Sequence, residues 1–163
     1  MADRAGVSIV AGPEWDLVAA QLREADPAMP GNLRDALRKA ADPIAEDTRR
    51  AALALPARGR KHSGLRGRVA AGVRVQPSTA QDIGIRFTTS MADPQEAELP
   101  RGLDNGIRGW RHPVFGNSDN WVHQRGGSWF RSTIADDRAQ VQDALSGVLD
   151  EAAAAIAAAG ASP

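Results

Sequence analysis

The C-terminal part of the sequence restricts the fold more than any other, because apolar residues recur there at helical spacing over many turns. These positions are Phe130, Ile134, Val141, Leu145, Val148, Ala152 and Ile156. The spacing predicts one long amphipathic helix with its polar residues on the other sides. Ser128 or Ser132 is the expected N-cap, and Gly160 and Pro163 mark the end. Its many alanines are typical of a helix packed against a sheet or a second subunit.

A second helical pattern lies in the N-terminal half. Its apolar stripe consists of Leu33, Leu37, Ala40, Ile44, Ala51 and Leu55. The stripe predicts a long helix with Asn32 as its N-cap. Pro43 removes a backbone donor inside this pattern, so we expect a kink or a break near Asp42. A shorter pattern over 13–25 predicts a helix ahead of it.

Two segments in the middle of the chain alternate between apolar and polar residues, as strands do. Val73 and Val75 alternate in the first, and Ile83, Ile85 and Phe87 alternate in the second. The segment 77–79 between them predicts a loop that joins antiparallel neighbours. Short extended pieces at 109–115 and 120–124 are expected to join the same sheet.

These patterns together predict an α+β fold. A small antiparallel sheet of three to four strands is packed by a long helix from the N-terminal half and a long C-terminal helix. The length of 163 residues favours one domain, 1–163. Residues 1–12 are expected to be flexible. Residues 56–72 and 90–106 are expected to be surface loops, the first with a short helical turn around 65–71.

Composition excludes several classes of site. The chain has no cysteine, so disulfides, thiolate metal sites and cysteine nucleophiles are all excluded. No segment is apolar for the roughly 20 residues that a membrane-spanning helix needs, and we expect no membrane role. Lys and Arg total 20 and Asp and Glu total 20, which argues against a globally basic nucleic-acid binder.

The zero net charge conceals a basic segment, 48–81, that contains no acidic residue. Its cations are Arg49, Arg50, Arg58, Arg60, Lys61, Arg66, Arg68 and Arg74. Such a segment can pair with acids on the same or a neighbouring subunit, or it can contact nucleic-acid phosphates between Arg49 and Arg74. No aromatic residue interleaves these cations to stack a base, and no helix-turn-helix or zinc-finger spacing is present.

No constellation of residues predicts an enzyme. His112 and His123 flank a short polar turn with Asn117 and Asp119, but a metal nuclease needs several convergent ligands and a general base. The sequence also lacks a phosphate-binding glycine loop and a Gly-x-Ser-x-Gly elbow. We therefore predict no catalytic residues, no metal site and no cofactor. A nuclease or toxin that relies on the two histidines is kept as a weaker alternative.

Most of the aromatic residues lie close together near the middle of the C-terminal half. The cluster contains Trp110, His112, Val114, Phe115, Trp121, Val122, Trp129 and Phe130. In a small sheet covered by helices, such residues form the core. Tryptophan and arginine also dominate protein interfaces, so a docking surface is the other interpretation.

The residues of this cluster resemble a known family. The match is carried by Trp110-Arg111-His112-Pro113-Val114-Phe115-Gly116, by Trp121-Val122 with Gln124, and by Trp129-Phe130. The order and spacing resemble the tail-completion (minor tail, head–tail joining) proteins of long-tailed phages and their prophages, over roughly residues 30–158. Gly127 stands where that family often has a proline.

The resemblance implies a small α+β protein without catalytic residues. It also implies that the protein assembles as a ring of six subunits where the tail meets the head. It implies tail-tube or tail-terminator proteins and head connector proteins as partners, DNA passing through the lumen, and a location in the virion after assembly in the host cytoplasm. We expect a basic loop to face acids on the next protomer. The loop residues are Arg58, Arg60, Lys61, Arg66 and Arg68, and the acids are Asp136, Asp137 and Asp143.

Overall fold

The computed structural model describes residues 5–10, 20, 24, 29–56, 64–79, 83–105, 108–114 and 117–160. Most of the helix predicted over 13–25 lies outside this part of the chain. So do three of the predicted interface cations, Arg58, Arg60 and Lys61, and two of the motif residues, Phe115 and Gly116. No helix among the described residues is long and apolar enough to cross a membrane.

Five strands and five α-helices make up the described part. They are β1 (Ala5–Val10), α1 (Met29–Ala54), α2 (Leu65–Ala71), β2 (Val73–Thr79), β3 (Ile83–Thr89), α3 (Leu99–Asn105), β4 (Trp110–Val114), β5 (Asn117–Gln124), α4 (Phe130–Asp136) and α5 (Arg138–Gly160). A 3-10 turn, Pro94–Glu96, precedes α3. The α+β class is confirmed.

The strands form two sheets. The first is a small antiparallel sheet with the order β1-β3-β2, and the second is the antiparallel hairpin of β4 and β5. The prediction that 109–115 and 120–124 join the first sheet is wrong, because a short connection pairs these strands with each other. The prediction that 1–12 is flexible is wrong for 5–10, which is an outer strand of the first sheet with Ile9 buried.

β3 is the central strand, and its side chains show this. Six of its seven residues are buried, so both of its faces are covered and only Arg86 is exposed. Sequence alternation identified one face, with Ile83, Ile85 and Phe87 almost fully buried. The other face carries Gly84 and Thr88, which are small or polar and gave no apolar signal. β2 extends through Thr79, so the predicted loop at 77–79 belongs to the strand.

The chain divides into two compact units. One contains Met1–Val7, Ile44–Arg74 and Phe87–Asp136, and the other contains Ser8–Pro43, Val75–Arg86 and Asp137–Pro163. The chain passes from one unit to the other inside all three strands of the first sheet and inside α1. The division therefore does not separate the sequence into an N-terminal and a C-terminal part, and the single domain stays a prediction.

Helix α1 is longer at its start than predicted and is not broken. It begins at Met29, so Asn32 lies inside it and is not the N-cap. Pro30 is the cause, because proline fits the first turn of a helix, where backbone N–H groups have no partner. Pro43 lies on the exposed side, where water can bind the carbonyl group that it leaves unpaired. The predicted apolar stripe is confirmed for Leu33, Leu37 and Ile44, which are buried. Ala40 and Ala51 are only half-buried, and Leu55 follows the end of the helix.

The C-terminal helix is divided into two. α4 ends at Asp136, Asp137 forms a turn, and α5 begins at Arg138, with the Val141 N–H donating to the Asp137 carbonyl oxygen at 3.0 Å. The prediction of one continuous helix is therefore wrong. Ile134 and Val141 are seven residues apart, which is also the spacing of two turns of an unbroken helix, so the apolar pattern could not reveal the single turn residue between them.

Both predicted surface loops contain helices. The short helical turn predicted around 65–71 is confirmed as α2, and Val69 and Ala70 on it are buried. The loop predicted over 90–106 is wrong, because α3 buries Leu99 and Leu103 there. Two leucines four residues apart span only about one helical turn, which is too short for periodicity to distinguish a helix from a polar loop.

Glycine substitutions inside α2 and just after its last residue test this local packing. A Cβ at Gly72 would lie 2.1 Å from the Ser90 carbonyl oxygen, so Gly72→Ala must displace backbone. We expect it to lower the free energy of unfolding by about 1–3 kcal/mol. Gly67→Ala is the matched control, because a Cβ there meets nothing within 4 Å. Helix propensity should make that variant about 0.5–1 kcal/mol more stable. Urea denaturation measures both, and equal stabilities would contradict the close approach at Gly72.

Candidate functional site

The residues that carry the family resemblance lie mostly on the β4–β5 hairpin. Its register pairs Trp110 with Gln124, Arg111 with His123, His112 with Val122 and Pro113 with Trp121, with an irregularity after Pro113. Directly opposed residues share a face, and faces alternate along a strand. One face therefore carries Arg111, Pro113, Trp121 and His123, and the other carries Trp110, His112, Val122 and Gln124.

The face with Trp110 is held together by ring stacking and hydrogen bonds. The Trp110 and His112 rings stack with their centroids 4.5 Å apart. His112 Nδ1 lies 3.1 Å from the Pro113 carbonyl oxygen, which can only accept, so this nitrogen donates. Nε2 lies 3.0 Å from the side-chain amide of Gln124. Both ring nitrogens of His112 are thus used to fix the hairpin.

Helix α3 supports this face of the hairpin through a glycine. The Trp110 indole lies so close to Gly102 that a Cβ there would be 2.4 Å from the six-membered ring. Gly109, just before β4, has a φ of 90°, and the His123 ring covers it. A side chain at either glycine would push an aromatic ring away, and at Gly109 it would also be strained.

The segment that leaves the hairpin also crosses α3 closely. The Gly127 N–H donates to the Leu103 carbonyl oxygen at 2.8 Å, and a Cβ at Gly126 would lie 2.4 Å from the same oxygen. A proline at 127 could not make this hydrogen bond. The glycine that departs from the family pattern therefore has a structural role in this chain.

Asp104 on α3 caps the next helix, α4. Its side chain is buried, with 2% of its surface accessible. Oδ1 accepts hydrogen bonds from the backbone N–H groups of Trp129, Phe130 and Arg131, at 3.1, 2.8 and 3.3 Å. The carboxylate thus satisfies the unpaired donors at the start of α4 and opposes the positive end of that helix.

This cap replaces the one predicted from the sequence. The Ser132 hydroxyl donates to the Ser128 carbonyl oxygen and does not accept from the backbone N–H groups at the start of α4, so the predicted serine cap is replaced by Asp104. The Arg131 guanidinium lies 3.6 Å from Asp104 and adds a charge partner. No signal in the sequence identifies Asp104, because capping motifs are local and this carboxylate comes from 25 residues upstream of Trp129.

The aromatic cluster is divided between core and surface. Trp129 and Phe130 are buried and meet edge to face with centroids 5.4 Å apart, so the core interpretation is confirmed for them. Trp110, His112 and Pro113 are half-buried. Trp121 is 49% exposed and Val122 37%, so the core interpretation is wrong for Trp121. The Arg111 guanidinium lies 5.8 Å above the Trp121 ring, within cation–π range.

A cleft of about 480 Å³ lies between α3 and the hairpin. It is lined by Leu99, Arg101 and Gly102 from α3 and by Trp110, His112 and Trp121 from the hairpin. The Trp110 indole N–H is buried without a hydrogen-bond partner among the described residues. The hairpin therefore presents partly apolar surface both on its exposed face and at this cleft.

The basic segment is largely paired within the chain, as far as the structure describes it. Arg68 forms a two-point ion pair with Glu96, at 2.6 and 3.1 Å, which raises the pKa of Arg68. Other arginines of the segment bind acids or carbonyl oxygens nearby; the pairs are Arg49 with Glu46, Arg50 with Asp47, Arg66 with Leu53 and Arg74 with Ala71. Three of the five described cations of the segment thus have an acidic partner, whereas Arg66 and Arg74 bond to carbonyl oxygens and keep their charge. Nucleic-acid binding through Arg49–Arg74 stays a prediction.

Of the predicted interface acids, Asp136 and Asp143 are exposed and Asp137 is half-buried. They form no ion pair with any residue that the structure describes. Arg66 and Arg68, which were expected to face such acids on another protomer, have partners within the chain. The acids of the predicted interface are thus accessible, but these two cations are already occupied.

The two histidines do not converge. His112 and His123 lie on opposite faces of the hairpin, so they cannot bind one metal ion or act on one substrate together. No group of three or more potential metal ligands occurs among the residues that the structure describes. The nuclease alternative has no geometric support in this part of the chain.

Comparison with known proteins gives no further assignment: no family model, curated protein or solved structure matches the chain. The resemblance to tail-completion proteins therefore rests on the motif residues alone.

Removing the Asp104 cap should weaken the fold. We expect Asp104→Ala to lower the free energy of unfolding by about 2–4 kcal/mol, because it leaves three backbone N–H groups without their acceptor in a buried place. Asp104→Asn keeps an oxygen acceptor and should lose about half as much. The exposed Asp136→Ala is the control, with a change within about 0.5 kcal/mol. Thermal and urea unfolding measure all three, and an unaffected Asp104→Ala would exclude the cap as a stabilising contact.

Proposed function

We propose that this chain is a structural assembly protein that docks through the β4–β5 hairpin. The observation that carries the proposal is the exposure of Trp121, which lies on the face of the hairpin opposite to the one where Trp110 packs on α3. A tryptophan buries roughly 150–250 Å² when it is covered, so leaving half of one in water is unfavourable unless a partner covers it. The surface fits a protein interface better than a reaction site.

The arrangement of the hairpin suits docking. Gly102 lets Trp110 of the hairpin pack closely on α3, and Gly109 lets the His123 ring of β5 lie over the start of β4, so the exposed residues are held in a fixed conformation. A preorganised surface loses little conformational entropy on binding. Arg111 beside Trp121 supplies the second residue type that is enriched at the centres of interfaces.

The finer proposal is a tail-completion protein of a long-tailed phage or prophage. It is supported by the Trp110–Gly116 motif and the spacing to Trp121 and Trp129, since the described motif residues lie on the hairpin and just before α4. In this role the chain would form a ring at the head-proximal end of the tail and join the tail tube or tail terminator to the head connector. Neither catalytic residues nor a cofactor would be needed.

Replacing Trp121 separates docking from folding. We expect Trp121→Ala to reduce the yield of joined particles at least about tenfold when it replaces the wild-type chain during phage assembly, since truncating a central interface residue costs about 2 kcal/mol or more. The free energy of unfolding should change little, because the side chain is half exposed. Plaque counts and electron microscopy of heads and tails measure the effect.

Trp129→Ala is the matched control. It removes a buried tryptophan and should lower the free energy of unfolding by about 3–5 kcal/mol, so any assembly defect follows from misfolding. Normal particle yield with a folded Trp121→Ala chain would contradict the proposed function.

A further inference from the structure

We propose that the surface which covers the hairpin is the exposed acidic face of α5 on a second copy of this chain. The inference rests on the proposed assembly function and names the partner of the same surface. It assigns the cationic side of the contact to the hairpin arginines rather than to the cations of segment 58–68 that the sequence predicted. Charge, exposure and side-chain size each support it.

The hairpin and its flanks are cationic. Residues 108–125 contain three arginines, Arg108, Arg111 and Arg125, and one acid, Asp119. All three arginines are exposed and form no ion pair with any described residue. Arg108 and Arg125 flank the last pair of the hairpin, Trp110 with Gln124, so positive charge collects at the open end of the strands.

The start of α5 and the turn before it are anionic. Residues 136–151 contain five acids, Asp136, Asp137, Asp143, Asp150 and Glu151, and a single cation, Arg138. Four of these acids are exposed, and none is paired in the part of the chain that the structure describes. The cationic hairpin of one copy is therefore electrostatically complementary to the anionic face of α5 on another copy.

The acidic face also has room for an indole ring. Asp143, Gly147, Asp150 and Ala154 are four and three residues apart, which places them on one side of the helix. All four are exposed, and a Cβ at Gly147 would meet nothing within 4 Å. A flat aromatic ring can therefore lie against the helix between two carboxylates. On the hairpin, Trp121 and Arg111 combine such a ring with a cation that can reach a carboxylate.

The contact joins two different surfaces, the hairpin of one copy and α5 of the next. In a row of copies joined by such a head-to-tail contact, the first and last copies still have one hairpin and one acidic face without a partner copy. Further copies can therefore add until the rotation between neighbouring copies closes a ring. A pair of copies joined through the same surface twice would place like charges together, which is unfavourable.

Charge reversal tests the pairing by sedimentation of the purified chain over a range of concentrations and salt. The wild-type chain should self-associate at low salt and less at high salt, because screening weakens the attraction. Arg111→Glu with Arg125→Glu, and separately Asp143→Lys with Asp150→Lys, should each weaken association roughly tenfold or more. A mixture of the two double variants should associate again, since each offers the other one intact complementary surface. The reversals Arg38→Glu and Asp35→Lys on the exposed side of α1 are the controls.

Gly147→Gln is a second variant whose loss of association cannot reflect misfolding. It fills the open space on α5 and improves helix propensity, so the monomer should unfold at the same or a higher temperature. Association should weaken as strongly as with the charge reversals. A wild-type chain that stays monomeric at millimolar concentration and low salt, or variants that associate like wild type, would overturn the proposal.

Disulfide trapping gives the geometry, because the chain has no cysteine of its own. Under mild oxidation, a mixture of His123→Cys, on the face of Trp121, and Gly147→Cys should form the mixed dimer, and neither variant alone should cross-link efficiently. Asp35→Cys should cross-link with neither. Preferential His123→Cys homodimers would show a two-fold contact and overturn the proposal. The two proposals can fail separately. If the wild-type chain self-associates as described but Trp121→Ala still joins heads to tails, the assembly function is rejected and the pairing is not. If Trp121→Ala abolishes joining but self-associates like the wild-type chain, the pairing is rejected and the assembly function is not.

Discussion

The arrangement of α3, the β4–β5 hairpin and α4 depends on the hydrogen bonds that the buried carboxylate of Asp104 accepts. Three backbone N–H groups at the start of α4 would otherwise be buried without acceptors, and each such group is costly to leave unpaired. Because Asp104 belongs to α3, the cap fixes α3 relative to α4. The same helix accepts the Gly127 N–H at Leu103 and carries Gly102 beneath Trp110. One short helix thus positions the hairpin, its exit and the next helix.

This arrangement explains how the hairpin can expose apolar residues without weakening the fold. An isolated two-stranded hairpin is marginally stable in water. Here Trp110 packs on Gly102 and His112 bonds both Pro113 and Gln124, so this face anchors the hairpin to α3. On the opposite face the His123 ring covers Gly109, while Trp121 stays half exposed. Trp121 is therefore not part of the core, whereas Trp129 is.

The sequence predicted those elements whose signals are long and local. Alternation found β2 and β3, and the apolar stripe found α1, because the residues that carry each signal are contiguous. It missed α3, whose buried stripe consists of Leu99 and Leu103 alone. It also missed the turn at Asp137, because a seven-residue spacing suits a continuous helix. Asp104 could not be found, since its partners are distant in sequence and only the fold brings them together.

The candidate surface was found only in part for a related reason. Composition places arginine and acid in separate segments, but it does not show which charges the fold neutralises. Arg68 was predicted as an interface cation and is bound by Glu96 at two points, whereas Arg111 and Arg125 were not predicted as interface cations and are exposed. An ion pair within one chain leaves little attraction for another molecule. The exposed arginines of the hairpin and the exposed acids of 136–151 are of opposite sign. A zero net charge is therefore compatible with the proposed self-recognition, because it removes overall repulsion between copies while leaving two oppositely charged surfaces.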